Sequence, residues 1–537
     1  MCRIPKLSEH NATKLQSMID DEYSFNMILD NLPAALVVHE SESGEKQYAR
    51  GFPLGRSSTQ RSSNHNHQRM LYNHIRFTVL YHRDERTDLS RIVGFEAEPM
   101  SIKHQHSGWR GSKTELGTCP SMSSSSLSAK ADVSPQVVEN GEEIVYTYDV
   151  LFKESTIKWA SRWDMYLRMP DQQIHWLSVV NSLLILLFLT AMVAMILVRS
   201  LRRDISQYNA IDIEDAQEET GWKLLHGDVF RNPRSQSRLA VSNATGMQLL
   251  TMAFQTMFWA MLGFLSPANR GGLMTTMLIL FALMGSVAGY TAGSMLREAG
   301  FRDWKADVLK SGLYFPSFVF VIFFLLNILV QSTGSSSAAP FGTLLVLCGL
   351  WFGVSVPLAL IGGYYGFKKS EINIPVRTNK IPRQIPHQPL HMHPVITSLI
   401  GGLLPFGTVF IELSFILTSL WLHKVYYLFG ILMIVFIILT LICAEISIVI
   451  CYFQLCNEDY NWQWRSFATS STCSLYIFAY CVYYYFADLE LTNPVSTSLY
   501  FGYTTIFCVA FALMTGSIGF TATRWFVRTI YGSVKVD

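Results

Sequence analysis

The sequence predicts a polytopic α-helical membrane protein: nine transmembrane helices preceded by an N-terminal β-rich, sandwich-like lumenal domain. Three observations carry this. Half of the 537 residues are hydrophobic and only 15% are charged, against about a quarter charged in an ordinary globular domain. The apolar residues are unevenly spread, with residues 1–173 polar and the remainder mostly long apolar runs. Lys and Arg gather in alternate connections between those runs, as they do when one set of loops stays in the cytosol. A formal net charge of +2 gives no reason to expect a nucleic-acid partner. Nine cysteines are too few for a disulfide-built scaffold.

The front segment, 1–173, alternates in the manner of half-buried strands. In residues 75–83, Ile75, Phe77, Val79 and Tyr81 fall on one face; 91–102 and 143–154 are similar. A helix is expected near Lys14–Leu29, and the serine run Ser121–Ser128 is expected to be a solvated loop. His82-Arg83-Asp84 imitates a kinase catalytic triplet, but no glycine-rich phosphate loop or DFG accompanies it. The first fifteen residues are polar where the apolar core of a leader would lie. Either the first span acts as a signal-anchor or the chain lacks its true beginning. Asn11-Ala12-Thr13 is a glycosylation acceptor if this segment is lumenal. Cys2 and Cys119 are its two cysteines and could pair with each other, or Cys2 with a partner upstream.

A helix needs roughly 20 apolar residues to cross a ~30 Å hydrocarbon core. Nine runs qualify: 174–198, 247–265, 273–296, 309–330, 341–366, 395–420, 426–453, 467–487 and 498–527. Basic residues follow the first (Arg199, Arg202, Arg203), third (Arg297, Arg302, Lys305, Lys310), fifth (Lys368, Lys369, Arg377, Lys380, Arg383), seventh (Arg465) and last (Arg524, Arg528, Lys535). The alternate loops hold only Arg270 and Lys424. This places 1–173 in the lumen, the loop 199–246 in the cytosol, an eight-helix bundle over 247–530, and the tail 531–537 in the cytosol. Trp176, Trp351, Trp421 and the Tyr426-Tyr427 pair are expected at the headgroup layers.

Within the spans, Gly285, Gly289 and Gly293 form a stripe at helical spacing that lets backbones approach closely. It can serve packing within the bundle, or a dimerisation or client-binding face. Glu412 and Glu445 lie inside the sixth and seventh spans, where a charge at the bilayer centre costs roughly 2.5–3.5 kcal/mol on insertion scales. They must face the interior, carry a proton or find donors; the candidates are the Asn327 amide, the Ser414 or Ser447 hydroxyls, and Arg524. Such carboxylates can fix helix register, recognise another protein's transmembrane helix, or couple to an ion. His387, His391, His393 and Met392 are metal-capable residues, but their spacing in a proline-rich stretch matches no site. No bound metal or cofactor is expected, and no Ser/His/Asp, HExxH or Walker pattern supports catalysis.

Long segments of the chain resemble the transmembrane 9 superfamily (nonaspanins). They include YHRDERTDLSRIVGFE (81–96), TYDVLFKESTIKWASRWDMYL (147–167), EETGWKLLHGDVFR (218–231), GFLSPANRGGLMT (263–275), LLPFGTVFIELSFILTSLW (403–421), CAEISIVICYFQLCNEDYNWQWRSF (443–467) and YGSVKVD (531–537). The resemblance implies a longer lumenal domain with a leader, so roughly a hundred family positions are expected to be missing at the front. It implies residence in Golgi and endosomal membranes, and assistance in the sorting and surface delivery of other membrane proteins with glycine-rich or polar transmembrane segments. It also implies that Lys535 and Asp537 form a Lys-x-Asp tail read by the COPI coat. The rival expectation is a secondary transporter or ion-coupled carrier using the intramembrane carboxylates; Pro405-Phe406-Gly407, ahead of Glu412, would then mark a broken helix.

Overall fold

The computed structural model describes residues 2–39, 46–58, 68–83, 89–105, 109, 116, 134–163, 176–208, 221–265, 271–334, 338–368, 378–421, 429–489, 491 and 493–533. Ser121–Ser128, Cys119, Asp84, Lys535 and Asp537 lie outside the described residues, as does the side chain of Glu412. The chain forms two compact units, Met1–Ile174 with Ile416–Tyr427, and His175–Phe415 with Leu428–Asp537.

The first unit is β-rich. Strands β1 (Cys2–Ile4), β2 (Ala35–His39), β3 (Lys46–Arg50), β4 (His74–Arg83), β5 (Ser90–Met100) and β6 (Ile144–Glu154) make one mixed sheet in the order β1-β6-β4-β5-β2-β3. β4 pairs antiparallel with β5 and parallel with β6. A small β-sandwich was expected; the described residues instead form this six-stranded sheet and three two-stranded ribbons. Parallel pairing requires long returns between strands, which periodicity within a strand does not reveal. Phe77, Val79, Phe95 and Ala97 bury one face with Leu32, Ala35 and Phe52. The register slips between Leu80 and Tyr81, where Gly94 gives room to Leu80: a Cβ there would lie 2.7 Å from Leu80 Cδ1.

The expected helix at 14–29 is displaced. Helix α1 runs Glu9–Asp20, capped by Ser8, whose hydroxyl accepts from the Asn11 amide. It stops because Glu22 turns left-handed at φ 53°; Tyr23 N–H then bonds Met18 C=O and Glu22 N–H bonds Ile19 C=O. That pair of bonds is a Schellman closure. Residues 24–29 go on to short strands. Asn11 lies exposed on α1, and Cys2 is exposed, with no disulfide partner among the described residues.

A buried polar knot joins β4 to β6. Asn73 donates to Ile102 and Val145 carbonyls at 2.7 and 3.0 Å. Thr147 Oγ1 lies 2.7 Å from His74 Nδ1 and 2.9 Å from His104 Nε2. Burial lowers the His74 pKa, with Arg76 also lowering it and Asp149 and Glu98 opposing. Burial, with His74 beside it, pushes His104 down to about 4. Both rings therefore take up a proton less readily in the fold than in an unfolded chain, which titrates near 6.5. Stability is fully present above about pH 6.5 and is lost as pH falls toward 4. Because His104 is only half-buried, the expected loss between pH 7 and 5 is on the order of 1 kcal/mol. Amide exchange of the full-length chain, corrected for intrinsic rates, should accelerate around residues 73–75 and 145–149 at pH 5. Unchanged protection would refute this.

The second unit is helical. α2 (Trp176–Tyr208), α3 (Gln236–Met261), α4 (Gly272–Leu283) and α5 (Gly285–Glu298) are followed by α6 (Lys305–Ser332), α7 (Phe341–Leu350) and α8 (Val356–Lys368). Then come α9 (Pro394–Trp421), α10 (Phe429–Cys456), α11 (Trp462–Ser471), α12 (Cys473–Ala487) and α13 (Pro494–Ser533). Among the described residues, each of the nine apolar runs falls mostly on helix, the second ending at Met261. Among the described residues, five helices are long and apolar enough to cross a membrane: Gly272–Glu298, Lys305–Ser332, Phe341–Lys368, Phe429–Cys456 and Pro494–Gly532. Val180–Ile196 of α2 and Pro394–Phe410 of α9 are shorter apolar stretches among the described residues. The second expected span falls short because Gln248 and Gln255 interrupt it; Gln248 is buried, as are Asn243 and Thr245 ahead of it on α3.

Trp351 opens a π-helical turn, Trp351–Ser355, between α7 and α8, and its indole donates to Gly312 C=O at 2.9 Å. Helix α9 continues through Pro405 without a break, which removes that sign of a discontinuous transporter helix.

The stripe Gly285, Gly289 and Gly293 is covered from within by α8. A Cβ on Gly285 would sit 2.8 Å from Ser355 O, and one on Gly293 2.5 Å from Gly363 O. On Gly289 it would overlap the Ala359 carbonyl. The facing ridge is itself small, since Gly362 and Gly366 meet the Ser286 and Tyr290 carbonyls in the same way. Two helices with glycine on both sides bring backbone against backbone.

Candidate functional site: polar groups within the helical bundle

Helix α10 lies among α2, α3, α11 and α13 and buries much of its surface, with Ile442, Cys443 and Leu455 fully enclosed. Polar side chains on such a helix need partners, because water is not there to supply them. Glu445, four residues from the end of the apolar stretch Phe429–Leu441, takes one from α2: its Oε1 lies 2.6 Å from Thr190 Oγ1. Thr190 Oγ1 is also 2.9 Å from Leu186 C=O. A hydroxyl has one proton, so the contact to Glu445 is made either by that proton or by one carried on the carboxyl. Thr190 is exposed at the bundle surface. Glu445 Oε2 is buried and has no hydrogen-bond partner among the described residues.

Three of the donors expected for the carboxylates have partners elsewhere. Asn327 closes the end of α6, donating Nδ2–H to Ala339 C=O at 3.2 Å and accepting from Ala339 N–H at 2.7 Å. Ser447 pairs with Ser470 of α11 at 2.7 Å, and Arg524 pairs with Glu298. Thr190 was not among the candidates: a lone threonine in an apolar run carries no signal of its own, and only the rotation of α2 aims it at Glu445.

Deeper in the bundle, small residues make room for hydroxyls. Ser470 Oγ lies 3.2 Å from Cys443 C=O, and Gly519 of α13 adjoins both Ser447 and Ser470, where any side chain would collide. Ser471 donates to Ala512 C=O at 2.8 Å and Thr472 to Ser398 C=O at 2.5 Å. These bonds join α11 to α13 and α9.

Toward the N-terminal end of α11 sits Arg465, its side chain 5% exposed. It donates to Asp459 at 3.2 Å, to Thr397 Oγ1 at 2.9 Å and to the Met392 carbonyl. Asp459 also accepts from Gln454 at 3.0 Å. This cluster fastens the proline- and histidine-rich stretch to the bundle: Met392 turns inward and is buried, while His387, His391 and His393 are exposed. The sequence marks Arg465 only as a basic residue after a span; its burial could have been suspected from the acidic and aromatic residues Asp459, Trp462 and Trp464 around it.

A second ionic cluster joins α5 to α13. Arg524 and Arg528 both reach Glu298 Oε2, Arg528 at 2.6 Å, beside a pocket lined by residues of α3, α5, α11 and α13. Arg528, Glu298 and Asp459 were not singled out from sequence as site residues.

The family model described as Endomembrane protein 70 matches residues 1–494. The protein "Transmembrane 9 superfamily member 8" of Arabidopsis thaliana is 52% identical over 543 residues, covering 100% of this chain and 83% of that protein. "Transmembrane 9 superfamily member 2" of Homo sapiens is 46% identical over 531 residues, 96% of this chain and 78% of that protein. "Transmembrane 9 superfamily member 4" of Mus musculus is 42% identical over 548 residues, 99% and 83%. No solved structure matches the chain.

Proposed function

This chain belongs to the Endomembrane protein 70 family, the transmembrane 9 superfamily, and from that membership we propose that it assists the sorting and surface delivery of other membrane proteins in Golgi and endosomal membranes. It is a multi-pass membrane protein. In the reading proposed here it crosses nine times, with 1–173 in the lumen, Asn11 available for glycosylation, and the tail in the cytosol. Lys535 and Asp537 are then the residues a COPI coat would clamp, by a paired ammonium and carboxylate. The segregation of Lys and Arg to alternate loops supports that orientation.

The observation that carries the client-handling reading is Glu445. Its Oε1 meets a hydroxyl at the bundle surface while Oε2 has no partner among the described residues. A transmembrane segment rich in glycine and polar groups can come close enough to exchange hydrogen bonds with such a group, and gains by leaving lipid. Glu412 is proposed to contribute to the same surface. The test is delivery of a glycine-rich multi-pass reporter in cells lacking the chain, rescued by variants. Glu445→Leu is expected to lower surface reporter about threefold, the factor matching the ~0.6 kcal/mol of an average interhelical hydrogen bond. Glu445→Gln, which still bonds, should rescue. Full rescue by Glu445→Leu would reject the reading. Failure of Glu445→Gln, together with pH-dependent flux in proteoliposomes that this variant abolishes, would favour an ion-coupled carrier.

A further inference from the structure

Among the described residues, the cluster between α5 and α13 holds more positive charge than its partners neutralise. Arg524 and Arg528 stand one turn apart on α13, and both place Nη2 on the same oxygen, Glu298 Oε2. One carboxylate faces two guanidiniums, whose side chains are 21% and 31% exposed. Each guanidinium carries five N–H donors, and a shared oxygen occupies one from each. Holding two cations together out of bulk water against a single anion is costly; a second anion would remove that cost. An ion pair serving only to join the helices needs one arginine.

The neighbouring pocket has the lining to receive such a group. Gln236 and Trp462, the first residues of α3 and α11, both border it. Neither helix start has a side-chain cap bond; the Ser235 hydroxyl instead accepts from Arg238 at 2.7 Å. Two uncapped helix N-termini add amide donors and positive dipole ends to the arginines. Gln236 Oε1 is buried with no partner among the described residues, an acceptor waiting for a hydroxyl. Across the pocket, Phe230 and the Trp462 ring, stacked on Phe520 at 6.0 Å, supply an apolar wall.

We propose that this pocket binds a phosphate-bearing, hydroxyl-rich ligand: phosphate on Arg524 and Arg528, a ring hydroxyl on Gln236, apolar portions against Phe230 and Trp462. Inositol phospholipids in the surrounding leaflet and soluble inositol phosphates share that chemistry. The test uses the purified full-length chain in phosphatidylcholine nanodiscs, with a fluorescent phosphatidylinositol 4-phosphate as probe. The probe should bind in preference to labelled phosphatidylcholine. Arg528→Gln should weaken it about tenfold or more, as loss of a hydrogen bond between charged groups does. Arg528→Lys keeps the charge opposite Glu298 and so guards against misfolding; it should weaken binding by a smaller factor. Glu298→Gln, which removes the competing carboxylate, should tighten it. Competition by soluble inositol 1,4-bisphosphate at matched concentration assigns the soluble source, and its failure to compete assigns the lipid. Equal binding of both labelled lipids, unchanged affinity in Arg528→Gln with a monodisperse protein, or weaker binding in Glu298→Gln would each overturn the proposal.

Discussion

Arg465→Ala is expected to destabilise the helical unit by about 3–5 kcal/mol, the usual cost of removing one partner from a buried ion pair. Among the described residues, Asp459 would keep only the Gln454 amide and the Asn461 N–H, while Thr397 Oγ1 of α9 and the Met392 carbonyl would each lose their donor from α11. The measurement is thermal unfolding of the purified chain in detergent, with exchange of residues 390–398 as the local readout. Arg465→Lys should recover part of the loss, because an ammonium restores the charge but cannot fork between Asp459 and Thr397. An Arg465→Ala protein as stable as wild type would show that this cluster is dispensable.

Gly289→Val is the second large effect, expected to cost about 3 kcal/mol or more and to reduce the monodisperse fraction sharply. Ordinary overpacking costs ~1–3 kcal/mol because side chains can rearrange. Here the obstacle is the Ala359 carbonyl in the backbone of α8, and relief requires separating two helices along the whole Gly285–Gly293 contact. Gly349→Val is the matched control, since a Cβ there meets nothing within 4 Å; its stability should stay close to wild type. Equal behaviour of the two variants would remove the close-packing account of α5 and α8.

The mixture of success and failure in the sequence reading has a physical pattern. Ile75, Phe77 and Val79 were legible as one face because strand periodicity is local, and all three pack on the core of the first unit. The end of α1 was not legible, because it is set by Glu22 adopting a left-handed backbone, which glutamate seldom announces. The partner of the Trp351 indole was not legible for a different reason: the Gly312 carbonyl lies 39 residues away along the chain, on another helix.

What the sequence by itself determined is whatever depends on neighbours along the chain: the apolar runs that become helices, the alternating strands, the glycines that demand a near neighbour, and the family to which the chain belongs. Only the tertiary structure decided who those neighbours are. Thr190 and Glu445 stand 255 residues apart, and Arg528 and Glu298 stand 230 apart. Each pair meets because two helices have a particular rotation and tilt, chosen by the summed packing of all their side chains. Periodicity says which residues share a stripe on one helix; it carries no information about which stripe of another helix will lie against it.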